Sequence, residues 1–339
     1  MHSRSNQNIF AFIVLVYNHE KYIIEHLESI KYLIERYGKD YQVDISISDD
    51  GSTDRSKVLV QKWLKHNSNL FRNIDTLFNS SNIGTCKCVH RLLSNLKKDI
   101  TACKITAGDD IYSYENIFTV CSKVNDFSFL SGIPLHFTDS SLFLDKFYLY
   151  GMFATQSIYN KKPLIDRFKL LSVTNAPNLF YNTDLLMSNE TLGFLLNFDV
   201  VEDWPIQISI SKLAGERPFL LDSTIYVYYR RTLGSSYIIA NNRFYSDKVK
   251  VFDYLIEGSK SRFEKLILKN RKWIFTLNIA KLNKFFNLSF YIFTASSIFR
   301  FLDIIKMDKI FEFNLAKHNS HLNTIKVKAV EFLNEFNEN

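Results

Sequence analysis

Glycine, proline and cysteine are all scarce in this 339-residue sequence, which holds 10 Gly, 5 Pro and 4 Cys. The cysteines are Cys86, Cys88, Cys103 and Cys121, and the first two are only two residues apart. That spacing is too short for the usual zinc-binding pair, and no second pair with His follows at ligand spacing. The sequence therefore predicts reduced, partly buried thiols and a cytoplasmic protein.

Four signals of other protein classes are also missing. There is no phosphate-binding Walker loop and no Gly-x-Gly-x-x-Gly pattern, so neither ATP hydrolysis nor dinucleotide binding is indicated. The first ten residues, MHSRSNQNIF, lack the apolar core of a signal peptide. Arg300 and Asp303 interrupt the most apolar part of the carboxyl-terminal region, so we predict no transmembrane helix there.

Aromatic residues and positive charge are what the sequence has in excess. The 30 Phe and 18 Tyr predict either a heavily aromatic core or rings that rest on a membrane or ligand surface. The formal net charge of +7 and the isoelectric point near 9.0 fit an anionic partner, such as a nucleotide phosphate, a lipid headgroup or nucleic acid. Composition alone leaves these partners open.

Segments of strand and helix character alternate at the start of the chain. Strands are predicted at residues 8–18, 42–48, 74–79 and 100–106, and helices at 20–37, 55–65 and 84–97. The connections are short, which is the signature of a parallel sheet covered by helices on both faces. We therefore predict an α/β domain in which a ligand binds beyond the carboxyl ends of the strands.

Polar clusters follow all four predicted strands. They read YNHE after the first strand, DDGSTD after the second, NSSNIG after the third and AGDD after the fourth. A single cluster of this kind is ordinary turn chemistry, because Asp, Gly, Ser and Thr favour tight connections. Four of them at one edge of a parallel sheet, two with adjacent aspartates, instead predict one ligand site.

The adjacent carboxylates suit a divalent cation and a nucleotide. Carboxylate oxygens bind Mg²⁺ or Mn²⁺, and the cation neutralises a diphosphate. Because no phosphate-binding loop accompanies these carboxylates, we interpret the diphosphate as a leaving group.

In these motifs the sequence resembles the family 2 glycosyltransferases, which are inverting enzymes with the GT-A fold. The resemblance covers about residues 8–235 and rests on FIVLVYNHEKYIIEHLESI, DISISDDGSTDRS, NSSNIG, ITAGDDIYSYEN and VEDWPI. It implies a Rossmann-like α/β fold with a mainly helical carboxyl-terminal region. It also implies transfer of one sugar from a nucleotide-diphosphate donor, UDP-linked, to a hydroxyl of a lipid-linked glycan in bacterial O-antigen or capsule synthesis.

The resemblance assigns four residues to the nucleotide. Tyr17 would stack on the base, Asp50 would accept a base N–H, and Asp49 would support the turn between them. Asn82, in the NSSNIG motif, belongs to the same nucleotide-binding set.

The resemblance also implies a metal site and a catalytic base. Asp110 would bind Mn²⁺ or Mg²⁺ directly, and Asp109 would contact the ribose or a metal-bound water. Asp203, beside Glu202, stands where the family has its general base, which takes a proton from the acceptor hydroxyl. Its alternative role is that of a carboxylate at the start of a helix, where it interacts favourably with the helix dipole.

Two features depart from the family pattern. The first Asp of the metal motif is replaced by Ala107, and the Gln-x-x-Arg-Trp motif of processive members is absent. The missing motif favours transfer of a single sugar. Arg230 and Arg231, in the corresponding region, would either clamp the diphosphate or lie at a solvated strand end.

Several other polar residues have two interpretations. The segment 174–186 lies where the family shapes its acceptor pocket, and its Asn175, Asn178 and Asn182 would either bond sugar hydroxyls or cap the next helix. The unpaired histidines His19, His90 and His136 are interpreted as structural.

We predict a catalytic domain over residues 1–238 and a helical, basic and aromatic region over residues 239–339. In the second region cations recur among Phe, Trp, Ile and Leu, at Lys265, Lys269, Arg271, Lys272, Lys281, Lys284, Arg300 and Lys306. Such helices either bury their apolar stripe against the catalytic domain or also contact anionic lipids on the inner face of the cytoplasmic membrane.

Two other functions compete with glycosyl transfer. A nucleotidyltransferase also places acidic residues at such strand ends, but it usually has a glycine-rich basic loop after the first strand, and YNHEKY is not one. A non-catalytic module that binds membrane or nucleic acid would use the basic carboxyl-terminal half. Such a module would not need four aligned polar strand ends, and nucleic acid is not predicted as a partner.

Overall fold

The computed structural model describes residues 8–138, 141–231, 242–277 and 285–338, with side chains up to residue 335. The strands are β1 Ile9–Val16, β2 Gln42–Asp49, β3 Asn73–Phe78, β4 Ala102–Ala107, β5 Ile111–Tyr112, β6 Phe129–Ser131, β7 Leu135–Phe137, β8 Leu142–Phe143, β9 Leu179–Tyr181, β10 Phe219–Leu221 and β11 Val227–Arg230. The predicted division between residues 238 and 239, and the predicted surface cations Lys281 and Lys284, lie outside the described residues.

Thirteen α-helices lie within the described residues. They are α1 Ile23–Tyr37, α2 Ser56–Asn67, α3 Thr85–Asn95, α4 Lys146–Tyr159, α5 Asp166–Lys169, α6 Thr183–Leu186, α7 Asn189–Leu195, α8 Asp203–Leu213, α9 Asn242–Gly258, α10 Arg262–Leu277, α11 Leu288–Phe299, α12 Phe301–Ile310 and α13 Leu315–Glu338. The first three helices and the first four strands confirm the predicted alternation within a few residues.

The central sheet is parallel, with strand order β3-β2-β1-β4. Successive residues of β1 point to opposite faces, so Phe10 and Phe12 pack with α1 and α2, whereas Ala11 and Ile13 pack with α3. Because helices cover both faces, the inner strand β1 is apolar throughout instead of alternating.

Two smaller sheets extend the structure beyond β4. One has strand order β5-β11-β7-β8 and the other β10-β6-β9. In the first, β11 runs antiparallel to β5, with Tyr228 opposite Ile111. This pairing brings Arg230, at the end of β11, beside the residues that follow β4.

The carboxyl-terminal helices share the cores of the preceding elements. Val251, Phe252 and Leu255 of α9 pack in the same cluster as α3 and α8. Helix α13 packs on α1, and His321 Nε2 donates to the Tyr112 carbonyl oxygen in β5 at 3.1 Å. Helices α9 and α13 are therefore part of the same packed structure as the elements that precede them.

Within the described parts of the chain, no single helix is both long enough and apolar enough to cross a bilayer. Helices α11 and α12 reach that length and apolar character only when they are taken together, and the pair is bent by 74°.

Candidate functional site

The four polar strand ends lie at one edge of the central sheet. Val16 is opposite Asp49 in the register of β1 and β2, and Leu15 is opposite Ala107 in β4. The register of β2 and β3 aligns Asp49 with Phe78. The residues that follow these strands therefore project from a common edge, as the sequence predicts.

The loop after β1 is fastened to the loop after β2. Asn18, with φ of +55°, accepts the Thr53 N–H at 2.8 Å through Oδ1 and donates its own N–H to Ser52 Oγ at 2.8 Å. Asp54 accepts the Glu20 N–H at 3.0 Å. These bonds hold the neighbouring Tyr17 with its ring 45% exposed, as a ligand-stacking residue requires.

Asp49 and Asp50 are both buried but are engaged differently. Asp49 Oδ1 accepts the Ser52 N–H at 2.8 Å, while its Oδ2 is buried without a hydrogen-bond partner among the described residues. Asp50 accepts the N–H groups of Ile83 and Gly84 at 2.8 and 3.0 Å. Asp50 Oδ1 also accepts from Asn79 Nδ2 at 3.3 Å. Asp50 thus closes the loop after β3 onto the end of β2, and its Oδ2 is the oxygen that keeps a further acceptor position.

The aspartates after β4 differ in exposure. Asp110 is buried, and its Oδ1 accepts the backbone N–H of Arg230 at 3.0 Å. Burial, followed by the adjacent charge of Asp109, raises the pKa of Asp110 well above its ordinary value. Asp109 is partly exposed, and no hydrogen bond or ion pair engages its carboxylate within the described residues. Of the pair, Asp109 is the one that a ligand can reach.

The position of Arg230 differs from both sequence interpretations, which are a diphosphate clamp and a solvated strand end. Its side chain is 2% exposed and donates through Nε to the Asp109 carbonyl at 2.6 Å and through Nη2 to Glu25. The guanidinium lies between the rings of Tyr22 and Phe137, 4.1 and 4.2 Å from their centroids. Arg230 is therefore neither a solvated strand end nor a diphosphate clamp; it is a buried anchor, because strand pairing draws it under the acidic loop.

Arg231 points elsewhere and stays partly accessible. Its backbone N–H donates to the Phe137 carbonyl at 2.9 Å, and Nη1 lies 3.7 Å from Asp145 Oδ2. The two neighbouring arginines consequently do not act as a pair.

Glu202 and Asp203 stand at the start of α8, both partly exposed. Burial, and then repulsion by Asp203, raises the pKa of Glu202 above its ordinary value. Lys248 of α9 lies 3.5 Å from the centroid of the Trp204 ring, next to this pair. Two adjacent carboxylates in partly desolvated surroundings favour retention of a proton on one of them.

Helix α9 holds the segment that leads to α8, which sequence reasoning missed. Asp247 Oδ2 accepts the N–H groups of Asp199, Val200 and Val201 at 2.8, 2.7 and 3.1 Å. These partners are 46 to 48 residues apart in sequence, so no local pattern marks them.

Arg243 joins this segment to the loop after β3. Its Nη2 donates to Asp199 Oδ1 at 2.7 Å, Nε donates to the other oxygen, and Nη1 donates to Asn82 Oδ1 at 2.6 Å. Gly84 has φ of +98°, and a Cβ there would lie 2.2 Å from Asp199 Oδ1. Asn82 thus lies at the site edge, with its side-chain oxygen bonded to α9.

The asparagines predicted near the acceptor pocket are buried and act in the fold. Asn178 Nδ2 donates to the Val227 carbonyl at 3.0 Å, and its Oδ1 accepts the N–H groups of Tyr226 and Val227. Asn175 and Asn182 each cap the following turn through Oδ1. Capping, the second of the two sequence interpretations, is what the structure supports for Asn175 and Asn182, whereas Asn178 fastens β11.

The histidines have structural surroundings. His136 is fully buried among aromatic rings, and burial lowers its pKa to about 4. His19 donates its backbone N–H to Ser56 Oγ at 2.8 Å, and His90 lies half-buried on α3.

A preformed metal cage is not among the arrangements seen in the described residues, since no group of three or more His, Cys, Asp and Glu side chains is placed to hold an ion. The partly exposed carboxylate of Asp109 fits a different kind of site. Mg²⁺ and Mn²⁺ are commonly held by one or two carboxylates together with substrate phosphates. The residues present fit a cation that arrives with a diphosphate.

The parallel sheet with acidic strand ends, extended by a small mixed sheet, defines the GT-A class of nucleotide-diphospho-sugar transferases. Residues 11–103 match the family model described as "Glycosyl transferase family 2". This match confirms the predicted resemblance over those residues. No curated protein matches the sequence.

Solved structures agree on the fold. Residues 1–349 of TarS from S. aureus in complex with UDP-GlcNAc match with a TM-score of 0.55 and 18% identity, over 81% of this chain and 74% of that one. The chain spans only 44% of a longer TarS structure, with a TM-score of 0.53. The mannosyltransferase PcManGT from Pyrobaculum calidifontis, in complex with GDP-Man and Mn²⁺, matches with a TM-score of 0.52 and 15% identity, over 95% of this chain and 86% of that one.

Proposed function

We propose that the protein is an inverting glycosyltransferase that moves one sugar from a UDP-linked donor to a hydroxyl of a glycan acceptor. The observation that carries the proposal is the common edge at which Tyr17, Asp50 and Asp109 follow three aligned strands. The family match over residues 11–103 and the nucleotide sugars bound by TarS and PcManGT support it.

The nucleotide half of the donor would bind between the loops after β1 and β3. Tyr17 offers an exposed ring for stacking on the base. Asp50 keeps an acceptor position on Oδ2 for a base N–H, and Asp49 supports the turn through Ser52. Asn82, held by Arg243, lies at the rim of the same pocket.

The diphosphate would lie over Asp109. We assign direct cation contact to Asp109 and not, as the sequence resemblance implies, to Asp110, because Asp110 is buried and bonded to the Arg230 backbone. A bound Mn²⁺ or Mg²⁺ would offset the charge that develops on the leaving diphosphate. Asp110 and Arg230 keep the loop that carries Asp109 in place.

Asp203 would act as the general base. In an inverting displacement, the acceptor oxygen forms its bond to the anomeric carbon as the bond to the diphosphate oxygen breaks on the opposite face. The carboxylate takes the acceptor proton as this occurs. Its place at the start of α8, on a segment fixed by Asp247, favours a constant orientation.

The acceptor would be a lipid-linked glycan of a bacterial surface polysaccharide, such as O-antigen or capsule, used at the inner face of the cytoplasmic membrane. The buried, unpaired thiols of the four cysteines suit a reducing compartment. The basic and apolar carboxyl-terminal helices suit a peripheral membrane contact.

The proposal is tested by titration calorimetry with UDP-GlcNAc and GDP-mannose, with and without MnCl₂. We expect UDP-GlcNAc to bind more tightly with Mn²⁺, and Mn²⁺ alone to bind weakly because no cage is preformed. Absence of nucleotide-sugar binding under all four conditions would contradict glycosyl transfer.

The metal assignment is tested by Asp109→Asn and Asp110→Asn. We expect Asp109→Asn to abolish the gain from Mn²⁺, whereas Asp110→Asn retains most of it, since an amide oxygen still accepts the Arg230 N–H. Asp184→Asn, on the exposed part of α6, is the matched control. The opposite ranking of the two variants would return the direct-ligand role to Asp110.

A further inference from the structure

A large apolar surface is exposed on the carboxyl-terminal helices. On α10, Phe263, Leu266, Trp273 and Leu277 recur on one helix face and are all exposed. Ile267, Leu268 and Ile274 of the same helix are buried. The fold therefore uses only part of the apolar surface of α10.

The exposed surface continues along the chain beyond α10. Asn270, within the outer face of α10, donates to the Phe286 carbonyl and accepts the Leu288 N–H, both at 2.9 Å. These bonds place the start of α11 against that face. Five apolar residues there are exposed, namely Phe285, Phe286, Leu288, Phe290 and Tyr291.

The bend between α11 and α12 carries strongly exposed apolar residues. Phe299 is 90% exposed and Leu302 is 74% exposed, and Ile298 and Phe301 lie beside them. Helix α11 has twelve residues and none of them is charged. Its length of about 18 Å is shorter than the roughly 30 Å of a bilayer core, so the bent pair suits entry into one leaflet.

Charge identifies the partner that fits this surface. Residues 262–311 contain ten of the 42 Lys and Arg residues but only three of the 35 Asp and Glu residues. The rest of the chain contains 32 basic and 32 acidic residues, so its charges cancel. The whole net charge of +7 is thus carried by the segment that exposes the apolar side chains. An anionic surface with an apolar interior matches both properties.

Other occupants fit less well. A second copy in a two-fold symmetric contact would bring two positively charged surfaces together. The phosphate backbone of a nucleic acid offers no apolar partner for Ile298, Phe299 or Leu302.

We propose that α10, α11 and α12 form a lipid-binding surface whose apolar side chains enter the acyl boundary of an anionic bilayer while exposed cations such as Arg262, Lys269 and Lys309 contact the headgroups. The inference deepens the peripheral membrane contact within the proposed function. It adds to the attraction between charges the insertion of apolar side chains, such as Phe299 and Leu302, into the bilayer. It is tested without any measurement of sugar transfer, so the two proposals fail separately.

The first test is flotation of the full chain with vesicles of phosphatidylcholine, alone or mixed with phosphatidylglycerol, at low and high salt. We expect tighter binding to the anionic vesicles and a bound fraction that persists in high salt, because apolar burial is not screened. Phe299→Ser/Leu302→Ser should lower the high-salt affinity by at least about tenfold. Val58→Ser/Val330→Ser, which removes two exposed apolar residues on α2 and α13, is the matched control and should bind like the parent.

Point variants are used because truncation near residue 240 would remove α9 and α13, which belong to the cores. A second readout uses Trp273, which is 50% exposed, whereas Trp63 is buried. On addition of anionic vesicles we expect a blue shift of the emission and quenching by brominated lipids, both lost in Trp273→Phe.

Three results would overturn the inference. The first is equal vesicle binding by the parent and Phe299→Ser/Leu302→Ser. The second is binding that vanishes in high salt while Trp273 emission stays unchanged. The third is a stable dimer in sedimentation velocity that the same double variant dissociates, without vesicle binding by the parent. Vesicle binding as expected, with no binding of nucleotide sugars, would leave this inference standing and remove the proposed transferase.

Discussion

At the scale of single residues, the chemistry of the site depends on which carboxylates meet solvent. Asp109 and Asp203 are partly exposed, whereas Asp110 and Asp49 are buried and bonded to backbone N–H groups. A group that must bind a cation or take a proton from a substrate has to be reachable, so exposure separates reacting carboxylates from supporting ones. The same residue type therefore has two uses within one site.

Asp203→Asn removes the proposed base while it preserves the shape of the helix start. We expect sugar transfer to fall by roughly 10²–10⁴-fold, the usual size of a general-base contribution. UDP-GlcNAc affinity should stay unchanged, because the donor site lies on other loops. Steady-state kinetics and calorimetry on the same preparation check both parts, and near-parent turnover in this variant would place the base elsewhere.

Residue types at the strand ends are predictable from sequence, because local alternation reveals where each strand stops. Burial of those residues is not, since it is created by partners far along the chain. Asp110 and Arg230 are 120 residues apart, and only the pairing of β11 with β5 brings them together. For this reason the sequence leaves Arg230 either at the diphosphate or at a solvated strand end, and the structure shows it buried beneath the loop.

At the scale of elements, α9 connects three parts of the site. It binds the segment 199–201 through Asp247 and the loop after β3 through Arg243, while its apolar face enters the core. The sequence predicts a helix here but not these contacts. Basic residues on a helix are usually exposed to solvent, and the partners of α9 in the segment 199–201 lie 44 to 48 residues earlier in the chain. Helix α9 therefore holds two segments of the candidate active site in position.

Arg243→Gln tests this connection. Loss of the paired bonds to Asp199 should free the loop that carries Asn82, and we expect the donor KM to rise by about tenfold, in line with about 1.5–3 kcal/mol for hydrogen bonds to charged groups. Ser246→Ala, on the exposed side of the same helix, is the control and should behave like the parent. An unchanged KM in Arg243→Gln would show that the loop holds its conformation without α9.

At the scale of the whole molecule, the last helix closes the structure onto its beginning. On α13, His318 Nδ1 lies 2.8 Å from the Tyr228 hydroxyl, and His321 contacts the Tyr112 carbonyl. His318 also faces Tyr114 and Lys317, and His321 faces Tyr32 and Lys328. Burial, ahead of the charges nearby, lowers the pKa of each imidazole to about 4.

These two histidines make stability depend on pH in a definite direction. Both are neutral in the folded protein, whereas the unfolded chain binds protons below its ordinary histidine pKa near 6.5. Stability is therefore retained above pH 6.5 and is lost as the pH falls towards 4. We expect the Tm of the parent to decline more steeply over this interval than that of His318→Gln/His321→Gln. Parallel Tm curves would contradict the assignment, since carboxylates with raised pKa are common to both proteins.

Arg230 has a further consequence during synthesis of the chain. Its bonds reach Glu25 and Asp110, which are 205 and 120 residues earlier. A ribosome that adds about 5–20 residues per second needs roughly 6 to 24 s to cover the shorter interval. For that time the nascent protein presents the carboxylate of Asp110 to water with no arginine to hold it. The acidic loop can take its final form only after β11 has left the ribosome, so the candidate active site is completed late in translation although most of its residues are made early.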